Sequence, residues 1–299
     1  MVPRPLGAAA GLTLDQFFEE PATSVHPVAH FGRVMSDFER RNYVDRVGPG
    51  VTHAILGTSL GVVAGRALRS TTLATGLAAG GRALWRAASD VGDALATGDL
   101  DTARSRLPSL AGRDPSDLDE SEIARAVVES VAENTVDAIV APALWAAFAG
   151  ASGALGYRAV NTMDAMVGHH SPRYEHYGAP SARLDDVANW VPARVTAALV
   201  AMVRVTSARE IRKAVTTQAP QHPSPNAGVA EAAFAAALGI QLGGRNRYGE
   251  RIEDRIPLGF GRTARTSDIN EAIRLSRDVT YALASTLGVV GLALWWRRR

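Results

Sequence analysis

Apolar residues recur at helical spacing along most of this chain, and period-two alternation is scarce, so the pattern predicts helices joined by polar turns and an all-α fold. The last apolar run, VTYALASTLGVVGLALWW from Val279 to Trp296, holds 18 uncharged residues and is followed by Arg297, Arg298 and Arg299. That is the pattern of a membrane-spanning helix with an aromatic interfacial anchor and a basic cytoplasmic stop. Val136 to Gly156, with Asp137 as its one charge, is the next candidate span. Val51 to Ala64 and Thr71 to Leu84 are short, rich in threonine and glycine, and bounded by arginines; they fit equally spans packed through small residues and ordinary core helices. The opening MVPRPLGAAAGLTLDQFF imitates a signal peptide, but Asp15 comes too early and no small-residue cleavage site follows, so an uncleaved first helix is expected.

Between the apolar runs lies the densest polar stretch, Tyr157 to Arg194, with Asn161, Asp164, Arg183, Asp185, Asp186 and Asn189. Polar groups at a hydrocarbon boundary are costly unless they are bonded or used. Asn161 and Asp164 share a helix face at i, i+3, and Asp185 with Asn189 at i, i+4. Asp185 and Asp186 are equally consistent with local roles, since Ser181 or an aspartate could cap a helix starting there and Arg183 could pair with a neighbour. Upstream, Asp114 and Pro115 read as the N-cap and first residue of a helix carrying Ile123, Val127 and Val131 on one side. Glu129, Glu133 and Asp137 follow at i, i+4 and i+8, within about a quarter of the helix circumference. Glu122 and Arg125 are expected on a solvated face, whereas Glu133, Asn134 and Asp137 run into the apolar stretch and are expected to face a ligand. Carboxylates supplemented by amides, without thiolates or paired histidines, suit a hard cation such as magnesium.

Other features narrow the chemistry. The chain of 299 residues has no cysteine, which removes disulfides, thiolate metal sites and catalytic thiols. The net charge is +2 and the basic residues are scattered, with Lys213 the sole lysine, so nucleic acid is not expected as a partner. Mean hydropathy is −0.01, a blend of apolar runs and polar segments. His169, His170 and His176 lie in a loop and match no zinc spacing. His222 sits in HPSPNAG, a proline-fixed turn before an alanine-rich helix, Ala230 to Leu238. The turn reads as a cap with Asn226 in the capping place, yet His222, Asn226 and Glu231 also supply a proton carrier, an amide and a carboxylate close in sequence. GGRNRY, Gly243 to Tyr248, lacks the Walker pattern and reads as a solvated loop; its arginines make it a weak anion site at most.

Four blocks, ESVAENTVDAIVAP (Glu129 to Pro142), YRAVNTMDAMVG (Tyr157 to Gly168), SARLDDVANWVPAR (Ser181 to Arg194) and HPSPNAGVAEAAFAAALGIQLGG (His222 to Gly244), resemble the CobD/CbiB family of membrane-bound adenosylcobinamide-phosphate synthases. A weaker block is HPVAHFGR, His26 to Arg33. The resemblance implies a single multi-pass helical membrane domain over residues 1–299, in the cell membrane with motif loops facing the cytoplasm. It implies ATP- and Mg2+-dependent amide formation between adenosylcobyric acid and aminopropanol or its phosphate, with other enzymes of cobalamin synthesis as further partners. On that expectation Glu133, Asp137, Asp185 and Asp186 hold the metal, and Arg183 and Arg194 meet phosphate charge. Asn134, Asn161, Asp164 and Asn189 complete the substrate contacts, while His222 or Glu231, with Asn226, takes the proton from the amine.

The chain departs from the family where Gly-Asp-Pro becomes Glu19, Glu20 and Pro21, and where Ala230 replaces a proline. One crossing cannot place both the motif loops and the arginine tail in the cytoplasm, so either Ala227 to Leu242 re-enters the bilayer or the last helix lies along it. The alternative reading is a scaffold or transporter subunit whose carboxylates line a polar pathway, although no internal duplication supports it.

Overall fold

The computed structural model describes residues 2–17, 27–169, 171–248 and 251–298, with the backbone alone at 246–248 and 251–253. In chain order the helices are α1 (Arg4–Phe17), α2 (Pro27–Asn42), α3 (Val47–Leu68), α4 (Thr71–Ala78), α5 (Gly81–Ala96), α6 (Leu100–Arg106), α7 (Glu120–Thr135), α8 (Ala141–Ala149), α9 (Ala151–Met163), α10 (Ala179–Val203), α11 (Ala208–Thr217) and α12 (Ala227–Leu238), and strands β1 (Ile240–Tyr248), β2 (Arg251–Leu258) and β3 (Arg262–Thr263) precede α13 (Thr266–Trp296). The chain forms two compact units, 1–80 with 137–190 and 283–299, and 81–136 with 191–282. Glu19, Glu20, Pro21 and His26 fall outside the described residues, as does His170.

In the first unit α3 lies against α9 through a glycine stripe. A Cβ at Gly57, Gly61 or Gly65 would come within 2.1 Å of Met163 Sδ, 2.5 Å of the Leu155 carbonyl and 2.3 Å of the Ala151 carbonyl, respectively. Three glycines one turn apart therefore let two backbones touch, which is how helices pack where water supplies no driving force. α3 has 22 residues, enough to cross a membrane, and carries Ile55, Val62 and Val63 exposed. α13 is the second helix of that length and apolarity among the described residues. α10 and the helical segment Val205–Gln221 pass the same test only as a pair, bent by 112°.

Val136–Gly156 is not one span. The chain makes a π-helical segment at Val136–Val140, then α8, and reverses at Gly150, whose φ of 70° is open to glycine. Thr71–Leu84 is likewise divided, between α4 and α5. The predicted first helix is present as α1.

In the second unit α12 is buried along Ala227–Ala236, Glu231 included, and α7 packs on α5 and α12. Trp85 Nε1 and Thr135 Oγ1 both donate to Ser276 Oγ, at 2.9 and 2.8 Å. α7 starts later than the sequence suggested. Its cap is Asp119, in a reciprocal capping box with Glu122, while Asp114 closes a local turn onto Ser116. The all-α expectation also needs correction, because a three-stranded sheet of order β2-β1-β3 follows α12. β1 and β2 form an antiparallel hairpin with a bulge between Leu242 and Gly244, and β1 pairs parallel with β3. GGRNRY is thus a strand, not a loop. Among the described side chains of the sheet only Ile240, Leu242 and Leu258 insert into the core, too few to print alternation on the sequence. Gly239 at φ 65° ends α12 at Leu238, so Ala227–Leu242 is a 12-residue helix running into a strand, short of a membrane crossing.

Candidate functional site

Two polar groupings arise, one in each unit. In the first, α9 and α10 bring Asn161 and Asn189 to two carboxylates. Asn161 Nδ2 lies 3.2 Å from Asp137 Oδ2 and 3.4 Å from Asp185 Oδ1. Asn189 Nδ2 donates to Asp185 Oδ2 at 2.9 Å, and its Oδ1 accepts from Tyr157 Oη at 2.8 Å. The amide of Asn189 is thereby fixed in orientation by a donor on one side and an acceptor on the other. Tyr157 also reaches the Asp137 carbonyl at 3.2 Å. Asp185 and Asn189 are buried, and Asp137 and Asn161 half-buried. Two carboxylates thus converge on one amide at the edge of an apolar core of Ala141, Tyr157, Val160 and Ala188.

The helix spacing read from the sequence accounts for the pairing of Asp185 with Asn189, whereas Asn161 and Asp137 reach the grouping from other segments of the chain. Because α10 begins at Ala179, Asp185 and Asp186 stand inside the helix, and the capping role is excluded for both. Asp186 is half-buried and Arg183 exposed. Asp164 begins a second π-helical segment, Asp164–Gly168, and a Cβ on Gly168 would fall 1.8 Å from Asp164 Oδ1. His169 is exposed, and His176 is exposed with its ring against Asp45 at 3.1 Å, as expected of surface histidines.

The second grouping surrounds Glu231. His222 Nε2 stands 3.7 Å from Glu231 Oε1, both side chains almost wholly buried. His222 Nδ1 is 3.1 Å from both the backbone N and O of Ser224, so the turn fixes its ring. A Cβ on Gly228 would lie 2.4 Å from His222 Cβ, so glycine there allows the helix to start against the histidine. Asn226 occupies the N-cap position of α12 without capping through its side chain; Ser224 Oγ receives the N–H groups of Asn226 and Ala227. The Asn226 side chain instead accepts from Arg194 at 2.9 Å.

Glu129 is buried, ion-paired with Arg113, and accepts the Gly243 N–H at 2.8 Å. Burial, then the charges of Glu129 and Glu133, pushes the Glu231 carboxyl well above the usual carboxylate range, against Arg255 and Arg113. Glu133 is pushed up too, chiefly by the protein crowded around it. The residue nevertheless reaches solvent. The Asn134 amide donates to the Ser130 carbonyl one turn back, at 2.9 Å.

Among the described residues no three His, Asp or Glu side chains converge closely enough to hold a metal by themselves. Glu133 belongs to the second unit and Asp137, Asp185 and Asp186 to the first. Tyr157 and Arg113 carried no expected role, and Glu129 was read only as sharing a helix face with Glu133 and Asp137. Tyr157 and Glu129 open two of the four sequence blocks, whereas nothing about Arg113 marks it in advance.

The family model described as CobD/Cbib protein matches residues 8–276. The chain belongs to the CobD/CbiB family. It is 45% identical to cobalamin biosynthesis protein CobD of Mycobacterium tuberculosis strain H37Rv, over 99% of this chain and 97% of the relative. It is 37% identical to the protein of the same name from Halalkalibacterium halodurans, over 96% of each, and 36% to that of Rhodobacter capsulatus, over 90% of each. No solved structure matches. For the CobD/CbiB family, then, the four blocks read from the sequence correspond in this chain to residues of the two polar groupings.

Proposed function

We propose that this protein acts in cobalamin biosynthesis as a membrane-resident ligase that joins adenosylcobyric acid to aminopropanol or its phosphate. The observation that carries the reading is near-full-length similarity to relatives named cobalamin biosynthesis protein CobD. The polar groupings offer chemistry that suits it. A carboxylate is a poor acyl donor, so the terminal phosphoryl group of ATP passes to the corrinoid carboxylate oxygen, giving an acyl phosphate and ADP. The amine nitrogen then attacks the acyl carbon, the C–O bond to phosphate breaks, and a base takes the N–H proton.

The pair Asp137 and Asp185 fits magnesium of the kind held by one or two carboxylates plus substrate phosphates, since all its donors are oxygen. Bound there, the ion would neutralise phosphate charge. Arg194, held toward Asn226, and the exposed Arg183 are the cations assigned to phosphate. Proton removal falls to Glu231 or His222. A buried carboxyl with a raised pKa, 3.7 Å from an imidazole, can pass a proton at neutral pH in a way a solvated glutamate cannot.

Full-length protein purified in detergent is assayed with adenosylcobyric acid, ATP, magnesium and each amine in turn. The expected result is the amide by mass spectrometry and one ADP per product. No product with either amine, from protein that keeps its cooperative melting transition, would overturn the reading.

A further inference from the structure

The first unit contains a cleft of about 340 Å3 lined by α3, α8, α9 and α10, including Thr58, Val62, Trp145, Gly156, Tyr157 and Leu184. Its size is at the lower end of that of small-molecule sites, whose walls usually include a few unpaired polar groups to orient the ligand. This cleft offers hardly any. The Thr58 hydroxyl is spent on the Ala54 carbonyl at 2.8 Å, the Trp145 N–H on the Ala188 carbonyl at 3.1 Å, and the Tyr157 hydroxyl on Asn189 at 2.8 Å. A polar ligand entering would lose its hydration without replacement, which selects for hydrocarbon.

The position of the cleft says where the hydrocarbon comes from. α3 has 22 residues, about 33 Å at the helical rise, close to the thickness of a bilayer core. Thr58 lies in its middle third and Val62 one turn further on, so the cleft stands level with the acyl chains if α3 crosses the membrane. Around it large apolar side chains face outward: Val187 is 74% exposed, Phe148 77% and Trp190 55%. Val62 and Val187, both exposed, line the cleft and so carry its apolar wall out to the protein surface.

We propose that this cleft binds one acyl chain of a membrane lipid, seated against the rings of Trp145 and Tyr157. A chain there covers the apolar side of Tyr157, whose hydroxyl orients Asn189 and through it Asp185. The proposal rests on the membrane residence proposed above, and one arm of the test isolates that part.

The full-length protein is reconstituted in phosphatidylcholine vesicles containing a trace of phosphatidylcholine with a photoreactive diazirine on its acyl chain, and adducts are mapped by mass spectrometry. Adducts are expected on Trp145 and Leu184 within the cleft and on the exposed Val289 and Val290 of α13. Val187→Trp, at an exposed position on the rim, should lower cleft labelling by about fivefold while α13 labelling is kept. Ser152→Phe, which adds bulk at another lining position, is the second variant should the first leave room for a chain. Adducts on α13 with none in the cleft would overturn the proposal while leaving membrane residence standing. Adducts on neither would overturn membrane residence and the proposal with it. Cleft adducts that both variants leave unchanged, or that adenosylcobyric acid displaces, would assign the cleft to another occupant and refute the acyl chain.

Discussion

The ion pair between Arg113 and Glu129 is the most demanding element of the second unit, and Glu129→Gln tests it. The two side chains are 5% and 3% exposed. Removing one partner of a buried pair leaves the other charge desolvated and uncompensated, at a cost of about 3 to 5 kcal/mol. That is a large fraction of the roughly 5–15 kcal/mol by which folded domains are stable. For a chain of this length each kcal/mol shifts Tm by about 2 °C, so Glu129→Gln should melt about 6 to 10 °C lower, followed by tryptophan fluorescence in detergent. The double variant Arg113→Met/Glu129→Leu removes both charges. It should recover most of the loss but not the bond from the Gly243 N–H, worth about 1 kcal/mol. The same substitution has a second effect, because the Glu129 charge is one of the causes that hold the Glu231 carboxyl up. Without it Glu231 ionises at lower pH, and an acidic limb in the rate profile due to Glu231 should move down. A Tm within about 2 °C of wild type for Glu129→Gln would refute the reasoning, since a buried arginine left without its carboxylate cannot cost so little.

Glu231→Gln removes a carboxyl whose pKa is raised in the folded protein. Such a group favours folding below its unfolded value of about 4.5, and that advantage is lost as pH rises through the folded value. The variant should therefore gain stability relative to wild type as pH rises from the ordinary carboxylate range, and the gain should vanish below it; a Tm difference constant from acid to neutral pH would contradict the sign. Asp137→Asn and Asp185→Asn should each raise the magnesium concentration for half-maximal turnover by about tenfold or more, because an amide is a poorer ligand for a hard dication. Wild-type magnesium dependence in both would remove them from the metal site. At His222 a structural role predicts that His222→Asn keeps activity while His222→Ala loses stability, whereas proton transfer predicts that both lose about a hundredfold in rate or more with little change in Tm. Wild-type turnover by His222→Asn across the imidazole range would leave Glu231 as the base.

Helical periodicity made α3, α12 and α13 readable, along with the shared faces of Asp185 with Asn189 and of Glu129 with Glu133. Where the reading failed, the deciding interaction was local or lay far off in sequence. Asp114 and Asp119 are both plausible caps, and the choice falls to Asp119 because Glu122, three residues on, closes the reciprocal box. That signature stood in the sequence. Asn134 turns back to its own helix through Ser130, a competition that residue type alone does not resolve. The sheet was hidden because β1 places only Ile240 and Leu242 in the core before two glycines at φ 82° and 89° bulge the strand. Arg113 could not be found, since its partner Glu129 is sixteen residues away across a turn.

The two π-helical segments tie the backbone to the chemistry more closely than spacing does. Val136–Val140 contains Asp137, and Asp164–Gly168 begins at Asp164. Inserting a residue into a helix leaves carbonyls imperfectly bonded and costs stability, so such segments persist where they re-aim a side chain. At Asp137 the carbonyl oxygen lies 3.2 Å from Tyr157 Oη while the carboxylate turns to Asn161. A regular helix would commit that carbonyl four residues onward and rotate every following residue by about 100°. The grouping of Asp137, Asn161 and Asp185 thus depends on the irregular turn, since a regular helix would aim Asp137 elsewhere.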